Sequence, residues 1–320
     1  MNFHGKDIKI FSCNSNKELA AGIAKDLGLP LGDSDMGLFS DGEISCTINE
    51  SVRGSDVFVI QSTSAPVNRN LMELLIMTDA LKRASAASIT AVIPYYGYAR
   101  QDRKVKSRDP ISAKLTANLI TVAGADRILT MDMHCPQIQG FFDIPLDHLQ
   151  GGSILAPYFK QQFANSIDNL ICVSPDAGSA SRVRDFASRI GNNMGMAIID
   201  KRRQRANVSE VMNVIGDVEG MTVLLVDDMV DTAGTLCHAA EAVIERGKAK
   251  EVYACATHGV LSGPAVERLQ ASPIKELVLL DTIALPEEKR IDKIKILGTH
   301  NVFAQAIERI YTDKPISTLY

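Results

Sequence analysis

Short runs of β-branched and aliphatic residues alternate along this chain with amphipathic stretches, a rhythm that predicts parallel sheets connected by helices. In the first half, Asp7–Phe11, Asp56–Gln61, Ser88–Ile93 and Arg127–Met131 read as strands. Between them, Asn16–Leu27, Arg69–Arg83 and Ile111–Val122 carry apolar residues at helical spacing. Ile44, Cys46 and Ile48 alternate with polar neighbours, which predicts an antiparallel ribbon. In the second half the expected strands are Leu170–Ser174, Met196–Ile199, Thr222–Val226, Glu251–Thr257 and Glu276–Leu280. The expected helices are Ser179–Ile190, Gly234–Arg246 and Pro264–Gln270. Gln150-Gly-Gly-Ser153 is the best domain boundary, with a helix at Ile154–Phe163 after it. A last helix, Val302–Tyr311, follows a Gly-Thr-His-Asn turn. The pattern therefore divides into a first α/β domain over residues 1–150 and a second over 151–301, with a last segment, 302–320, that could cross back to complete the first.

Composition narrows the class without changing this picture. A chain of 320 residues with 46% hydrophobic and 22% charged residues suits two globular domains. Its net charge of −4 argues against a nucleic-acid protein that works through a broad basic surface. The start of the chain has no apolar signal core, and no apolar run reaches membrane-spanning length. The six cysteines form no Cys-x-x-Cys pair, so reduced thiols in a cytoplasmic protein are expected rather than a zinc or disulfide framework.

The chemistry begins at Thr222-Val-Leu-Leu-Val-Asp-Asp-Met-Val-Asp-Thr-Ala-Gly-Thr235, a β-type run, two acids, a third acid and a small loop that opens a helix. Backbone N–H groups at a helix start attract phosphate, and the hydroxyls of Thr232 and Thr235 add donors. Asp227 and Asp228 stand where a parallel strand ends, and carboxylates there can accept hydrogen bonds from vicinal ribose hydroxyls. Asp231, Ala233 and Gly234 complete the loop.

Four further segments carry chemistry-bearing residues. Lys201-Arg-Arg-Gln-Arg205 packs four cations into a polar connection, suited to a triphosphate whose charge must be neutralised during transfer. Asp132 and His134 follow a strand and, at period two, are expected on one face, where they could hold Mg²⁺ with phosphate oxygens. Leu38-Phe-Ser-Asp-Gly-Glu-Ile44 places Phe39 beside a turn, able to stack on a purine whose amine Asp41 and Glu43 could accept. Val173-Ser-Pro-Asp-Ala-Gly-Ser179 is a strand and small-residue turn able to hold a diphosphate on backbone amides, with Asp176 as its acid.

The Val-Asp-Asp…Asp-Thr-Ala-Gly-Thr stretch resembles the binding motif for phosphoribosyl diphosphate (PRPP) found in type I phosphoribosyltransferases and PRPP synthetases. The basic run resembles the catalytic loop of the synthetases, and the Phe39 hairpin their adenine-binding hairpin. Pro94-Tyr-Tyr-Gly-Tyr-Ala-Arg-Gln-Asp-Arg103 is similar to their signature segment, and the resemblance extends from about Ile8 to the C-terminus. It implies two phosphoribosyltransferase-like α/β domains, each a mainly parallel sheet flanked by helices. It implies ATP held by Phe39, Asp41, Glu43, Arg100, Gln101 and His134. Ribose 5-phosphate falls on Asp227, Asp228 and the loop Asp231–Thr235, Mg²⁺ on Asp132, His134 and Asp176, and catalytic charge on Lys201 and Arg203. Ser51, Arg53, Ser107, Arg108 and Ser317 resemble the contacts of the regulated class, which implies a homohexamer activated by phosphate and inhibited by ADP. The chain departs from the family where Ser179 replaces an expected glycine, at Ala180–Val183, at Ala233 and at Gly259. A PRPP-consuming transferase would not need the adenine hairpin or Arg100-Gln101. A PRPP-sensing repressor would carry a basic DNA-binding module, and none is visible.

Overall fold

The computed structural model describes residues 2–3, 5–191, 194–202 and 211–319. It separates into two compact units. One comprises Met1–Gln150, Thr282–Ala284 and Gly298–Tyr320; the other comprises Gly151–Asp281 and Leu285–Leu297.

The first unit runs β1 (Asn2–Phe3), β2 (Lys6–Ser12), α1 (Lys17–Asp26), β3 (Ser34–Leu38), β4 (Ile44–Ile48), β5 (Asp56–Ile60), α2 (Val67–Arg83), β6 (Ser88–Ile93), α3 (Ser112–Ala123), β7 (Arg127–Met131) and β8 (Leu146–Leu149). Its sheet has the order β1-β2-β5-β6-β7-β8, parallel throughout except for the β1–β2 pair. Central strands such as Val57-Phe-Val-Ile60 are apolar on both faces because helices cover both. Phe11, Val59, Leu74, Met77, Leu81 and Ile93 join in one core. Asn16 caps α1 by accepting the Leu19 N–H at 3.2 Å, a contact that typically adds ~1 kcal/mol to a helix. The last helix, His300–Tyr311, lies on α1 in this same unit. A Cβ at Gly22 would come within 2.9 Å of the His300 side chain, so glycine permits that close approach. His300 Nδ1 and Asp26 Oδ2, 2.6 Å apart, fasten the contact.

The second unit runs α4 (Gly152–Gln162), β9 (Leu170–Ser174), α5 (Ala180–Ile190), β10 (Gly195–Arg202), β11 (Val211–Ile215), β12 (Thr222–Val230), α6 (Gly234–Glu245), β13 (Glu251–Gly259), α7 (Ala265–Ala271), β14 (Ile274–Leu280) and β15 (Ile294–Leu297). The order is β11-β10-β9-β12-β13-β14-β15, parallel except for the β10–β11 ribbon. Val173, Val223, Leu225, Ala240, Val243, Ala254 and Leu277 are among its buried core.

Several boundaries differ from the sequence expectation. Strand β10 continues three residues past Ile199, because β11 pairs with it and gives the polar end of the strand a hydrogen-bonding partner. Strand β12 likewise runs on to Val230, with Asp227 opposite Ala256 and Met229 opposite His258. Strands β8, β11 and β15 were not anticipated. Among the described residues, no helix is long and apolar enough to cross a membrane. All six cysteines are free thiols.

Candidate active site

In the second unit the acid pair lies late in β12, the strand nearest the centre of the sheet. The Asp228 side chain is 4% exposed and Asp227 16%. Arg182, in the first turn of α5, places Nη1 2.9 Å from Asp228 Oδ1 and 3.9 Å from Asp227 Oδ1. Burial and the neighbouring Asp228 carboxylate push the Asp227 carboxyl well above the usual carboxylate range. The Asp228 N–H, 2.9 Å from Asp227 Oδ1, and Arg182 pull weakly the other way.

Loop Asp231–Thr235 follows β12 and opens α6, whose N-terminus carries no side-chain cap. The N–H groups of that first turn are therefore not claimed by a capping side chain, the arrangement that receives a phosphate. Ala233 sits at φ 59°, ψ 0°, in the left-handed region. For alanine that costs roughly 1 kcal/mol, which the surrounding packing must offset. Ala233 is buried, whereas Thr232 and Thr235 are exposed.

The turn after β9 is joined to the acid pair through Ser179. Its N–H donates to Asp176 Oδ1 at 2.9 Å, and its hydroxyl donates to Asp227 Oδ1 at 3.4 Å. Ser174 Oγ donates to the Asp176 carbonyl at 2.6 Å. By sequence alone Ser179 is a departure from an expected glycine, and Arg182 has no assigned role. Here both side chains reach Asp227 or Asp228, 48 residues on in the case of Ser179. Only the position of Arg182, in the first turn of the helix after Asp176, pointed to it in advance.

Lys201 falls near the end of β10, with its backbone opposite Met212. Arg203 and the rest of the basic run, to Arg205, lie outside the described residues.

In the first unit the Phe39 hairpin is the ribbon β3–β4, antiparallel from Ser34↔Ile48 to Leu38↔Ile44. Met36, Cys46 and Ile48 pack against the core. Phe39 is 58% exposed at the tip. The tip is closed by Phe39 N–H to Glu43 O at 2.8 Å and Gly42 N–H to Phe39 O at 3.0 Å, with Gly42 at φ 94°. Asp41 Oδ1 accepts the Glu43 N–H at 3.1 Å, and both acids are exposed.

Arg100 and Gln101 follow β6 on a segment stitched to the buried Gln61-Ser-Thr-Ser64 stretch after β5. Thr63 N–H donates to Tyr95 O at 2.9 Å, and Gly97 N–H to Thr63 Oγ1 at 2.6 Å. A Cβ at Gly97 would sit 2.3 Å from the Thr63 carbonyl, so only glycine fits there. Arg100 and Gln101 are exposed, and Gln101 Oε1 accepts the Ser112 hydroxyl at 2.5 Å.

The Asp132–His134 stretch differs from the period-two expectation. Strand β7 stops at Met131, and Asp132 adopts φ 37°, so strand alternation does not extend to His134. The turn is held by Asp132 N–H to Leu149 O at 3.1 Å and Met133 N–H to His148 Nε2 at 2.9 Å. His134 is exposed and Asp132 half-buried. Nearby, Asp147 is bound by Arg127 at 2.7 Å and Asp143 lies 3.6 Å from Lys114. Ser51, Arg53, Ser107, Arg108 and Ser317 are all exposed in this unit.

Two phosphoribosyltransferase-like α/β units, one bearing an acid pair beside an uncapped helix start, define a protein that handles phosphorylated ribose. Residues 8–124 match the N-terminal domain of ribose phosphate pyrophosphokinase, and residues 201–320 match the phosphoribosyl synthetase-associated domain. The ribose-phosphate pyrophosphokinase of Caldanaerobacter subterraneus subsp. tengcongensis is 64% identical over 313 residues, covering 98% of both chains. That of Clostridium perfringens is 61% identical over 320 residues, 100% of this chain and 99% of its own. The crystal structure of phosphoribosylpyrophosphate synthetase from Mycobacterium smegmatis matches with a TM-score of 0.91 at 42% identity, covering 96% of this chain and 100% of that one. The chain belongs to the ribose-phosphate pyrophosphokinase, or PRPP synthetase, family.

Proposed function

We propose that this chain transfers the β,γ-diphosphoryl group of ATP to the C1 hydroxyl of ribose 5-phosphate, giving PRPP and AMP for nucleotide biosynthesis. The observation that carries this reading is the run of β12 into α6. Two carboxylates, suited to ribose hydroxyls, stand late in β12, and a short loop leads from that strand to an uncapped helix start suited to a phosphate. The full-length likeness to ribose-phosphate pyrophosphokinases supports the same reading.

Ribose 5-phosphate binds with its phosphate on Asp231, Thr232, Ala233, Gly234 and Thr235 and its vicinal hydroxyls on Asp227 and Asp228. Arg182 and Ser179 hold the two acids in place. Adenine stacks on Phe39 and meets Asp41 and Glu43, while Arg100, Gln101 and His134 contact the phosphates. The C1 hydroxyl attacks the β-phosphorus in line, the bond to the α-phosphate oxygen breaks, and AMP leaves. Little covalent work falls to side chains in such a transfer; orientation and charge neutralisation dominate. Lys201 and Arg203 supply the cationic charge.

The donor chemistry fits Mg²⁺. That ion takes one or two carboxylates and fills its shell from substrate phosphates and water. Among the described residues, no group of three or more metal-ligating side chains forms a closed cage. In the first unit Asp132 and, less typically for this ion, His134 would hold it; in the second, Asp176 is a separate Mg²⁺-linked acid. When bound, the ion would supply positive charge that offsets the negative charge of the phosphoryl groups in transfer. Ser51, Arg53, Ser107, Arg108 and Ser317 form the proposed regulatory contacts of a homohexamer, where phosphate activates and ADP inhibits. The setting is the cytoplasm.

Phosphorus NMR of the protein with Mg²⁺, ATP and ribose 5-phosphate tests the function. PRPP and AMP should appear together in equal amounts. Formation of ADP, or of no product, rejects it.

A further inference from the structure

The geometry points to Arg268 as a positioning residue for the 5-phosphate of the sugar, an assignment that rests on the function proposed above. Three successive carbonyls of the loop after β12 are each bound from the connection between β13 and α7 or from α7 itself. Val230 O accepts the Leu261 N–H at 2.9 Å, and Asp231 O accepts the Ser262 N–H at 2.9 Å. Thr232 O accepts Nη1 of Arg268 at 3.0 Å. In a planar trans peptide the N–H points opposite to the carbonyl. Fixing these three carbonyls toward β13 and α7 therefore turns the N–H groups of Asp231, Thr232 and Ala233 away from them. Successive N–H groups held in this way make a concave seat for an anion.

The third tie differs in kind from the other two. It comes from a side chain, 36 residues further along the chain. It also falls on the peptide that leads into Ala233, whose φ of 59° is the conformation alanine resists. Without it, the strained peptide is the one free to rotate and withdraw its N–H. The guanidinium lies close against the loop: a Cβ at Gly234 would be 3.3 Å from the same Nη1. Its fixed positive charge thus stands within the first turn of the phosphate seat, where a cation favours a bound dianion. Arg268 acts through the loop and needs no contact with the reacting atoms.

Steady-state kinetics and calorimetry with ribose 5-phosphate compare Arg268→Ala, Arg268→Lys and the unchanged protein. Arg268→Ala should raise KM for ribose 5-phosphate and weaken its binding about tenfold. KM for ATP and kcat should stay within about twofold. Arg268→Lys, which keeps a donor and the charge, should recover most of the loss. If Arg268→Ala is poorly folded, Arg268→Gln, which keeps side-chain bulk and a donor but not the charge, should raise the ribose 5-phosphate KM while that for ATP holds. An unchanged ribose 5-phosphate KM in the tested variant overturns the assignment. So does an equal fall in affinity for both substrates, which marks a general structural role. If the unchanged protein makes no PRPP, the function proposed above fails instead.

Discussion

Replacing Asp227 by asparagine should stabilise the ligand-free protein while disabling it. Asp227 and Asp228 face the same guanidinium, that of Arg182, in a largely buried place, and burial together with the Asp228 carboxylate disfavours the ionised Asp227 carboxyl. Like charges about 4–6 Å apart at an effective dielectric of about 20 repel by ~3–4 kcal/mol. Arg182 offsets much of this, which leaves a net penalty of roughly 1–2 kcal/mol. Asparagine keeps Oδ1 as acceptor for the Asp228 N–H and the Ser179 hydroxyl, so these contacts survive. The expected gain at pH 7.5 is about 1–2 kcal/mol, or roughly 2–6 °C in melting temperature. The sign follows from proton linkage. The folded state holds the Asp227 proton more tightly than the unfolded chain does. At a pH below the ordinary carboxylate value of about 4, both states are protonated and the variant gains nothing. The difference grows as pH rises above that value and is full once the folded-state group has ionised. Meanwhile ribose 5-phosphate loses a charged hydrogen-bond acceptor, worth ~1.5–3 kcal/mol, or about 10- to 150-fold in affinity. Scanning calorimetry at pH 4 and pH 7.5, with titration of each substrate, reads both effects. A variant less stable than the parent at pH 7.5, or one that loses ATP and keeps ribose 5-phosphate, refutes the reasoning.

Lys201→Ala should lower kcat by two orders of magnitude or more with ribose 5-phosphate affinity nearly intact, because its charge acts mainly in the transition state. Near-parental turnover removes it from the mechanism. His134→Ala should raise the Mg²⁺ concentration for half-maximal activity severalfold; an unchanged requirement makes the residue structural. Arg53→Ala should blunt both phosphate activation and ADP inhibition while sparing basal activity, checked by titrating phosphate with and without ADP. Activity independent of phosphate, with ADP a simple competitor of ATP, contradicts the regulatory assignment.

The strand, acid pair, loop and helix from Thr222 to Glu245 were legible because each part is contiguous and each has its own local chemistry. The α/β alternation was legible for the same reason: buried parallel strands such as Val57–Ile60 are apolar on both faces. What escaped lies at sheet margins. Strands β8, β11 and β15 are each the outermost of their sheets and form by pairing on one side only. Leu-Asp-His-Leu in β8 and Ile-Lys-Ile-Leu in β15 are too short and mixed to announce a strand. The left-handed turn at Asp132 also left no trace, since aspartate adopts both ordinary and left-handed conformations. Ser179, Arg182 and Arg268 matter through partners 36 to 48 residues away, and no local spacing encodes such a contact.

The central claim is that two phosphoryl groups move together from ATP to C1 of ribose 5-phosphate. ATP labelled with ³²P at the β position, and separately at the γ position, distinguishes this from every single-phosphoryl transfer. With Mg²⁺ and ribose 5-phosphate, both labels should pass in full to PRPP, and the nucleotide left behind should be unlabelled AMP. Recovery of the β label in ADP, with only the γ label on the sugar, would contradict the account.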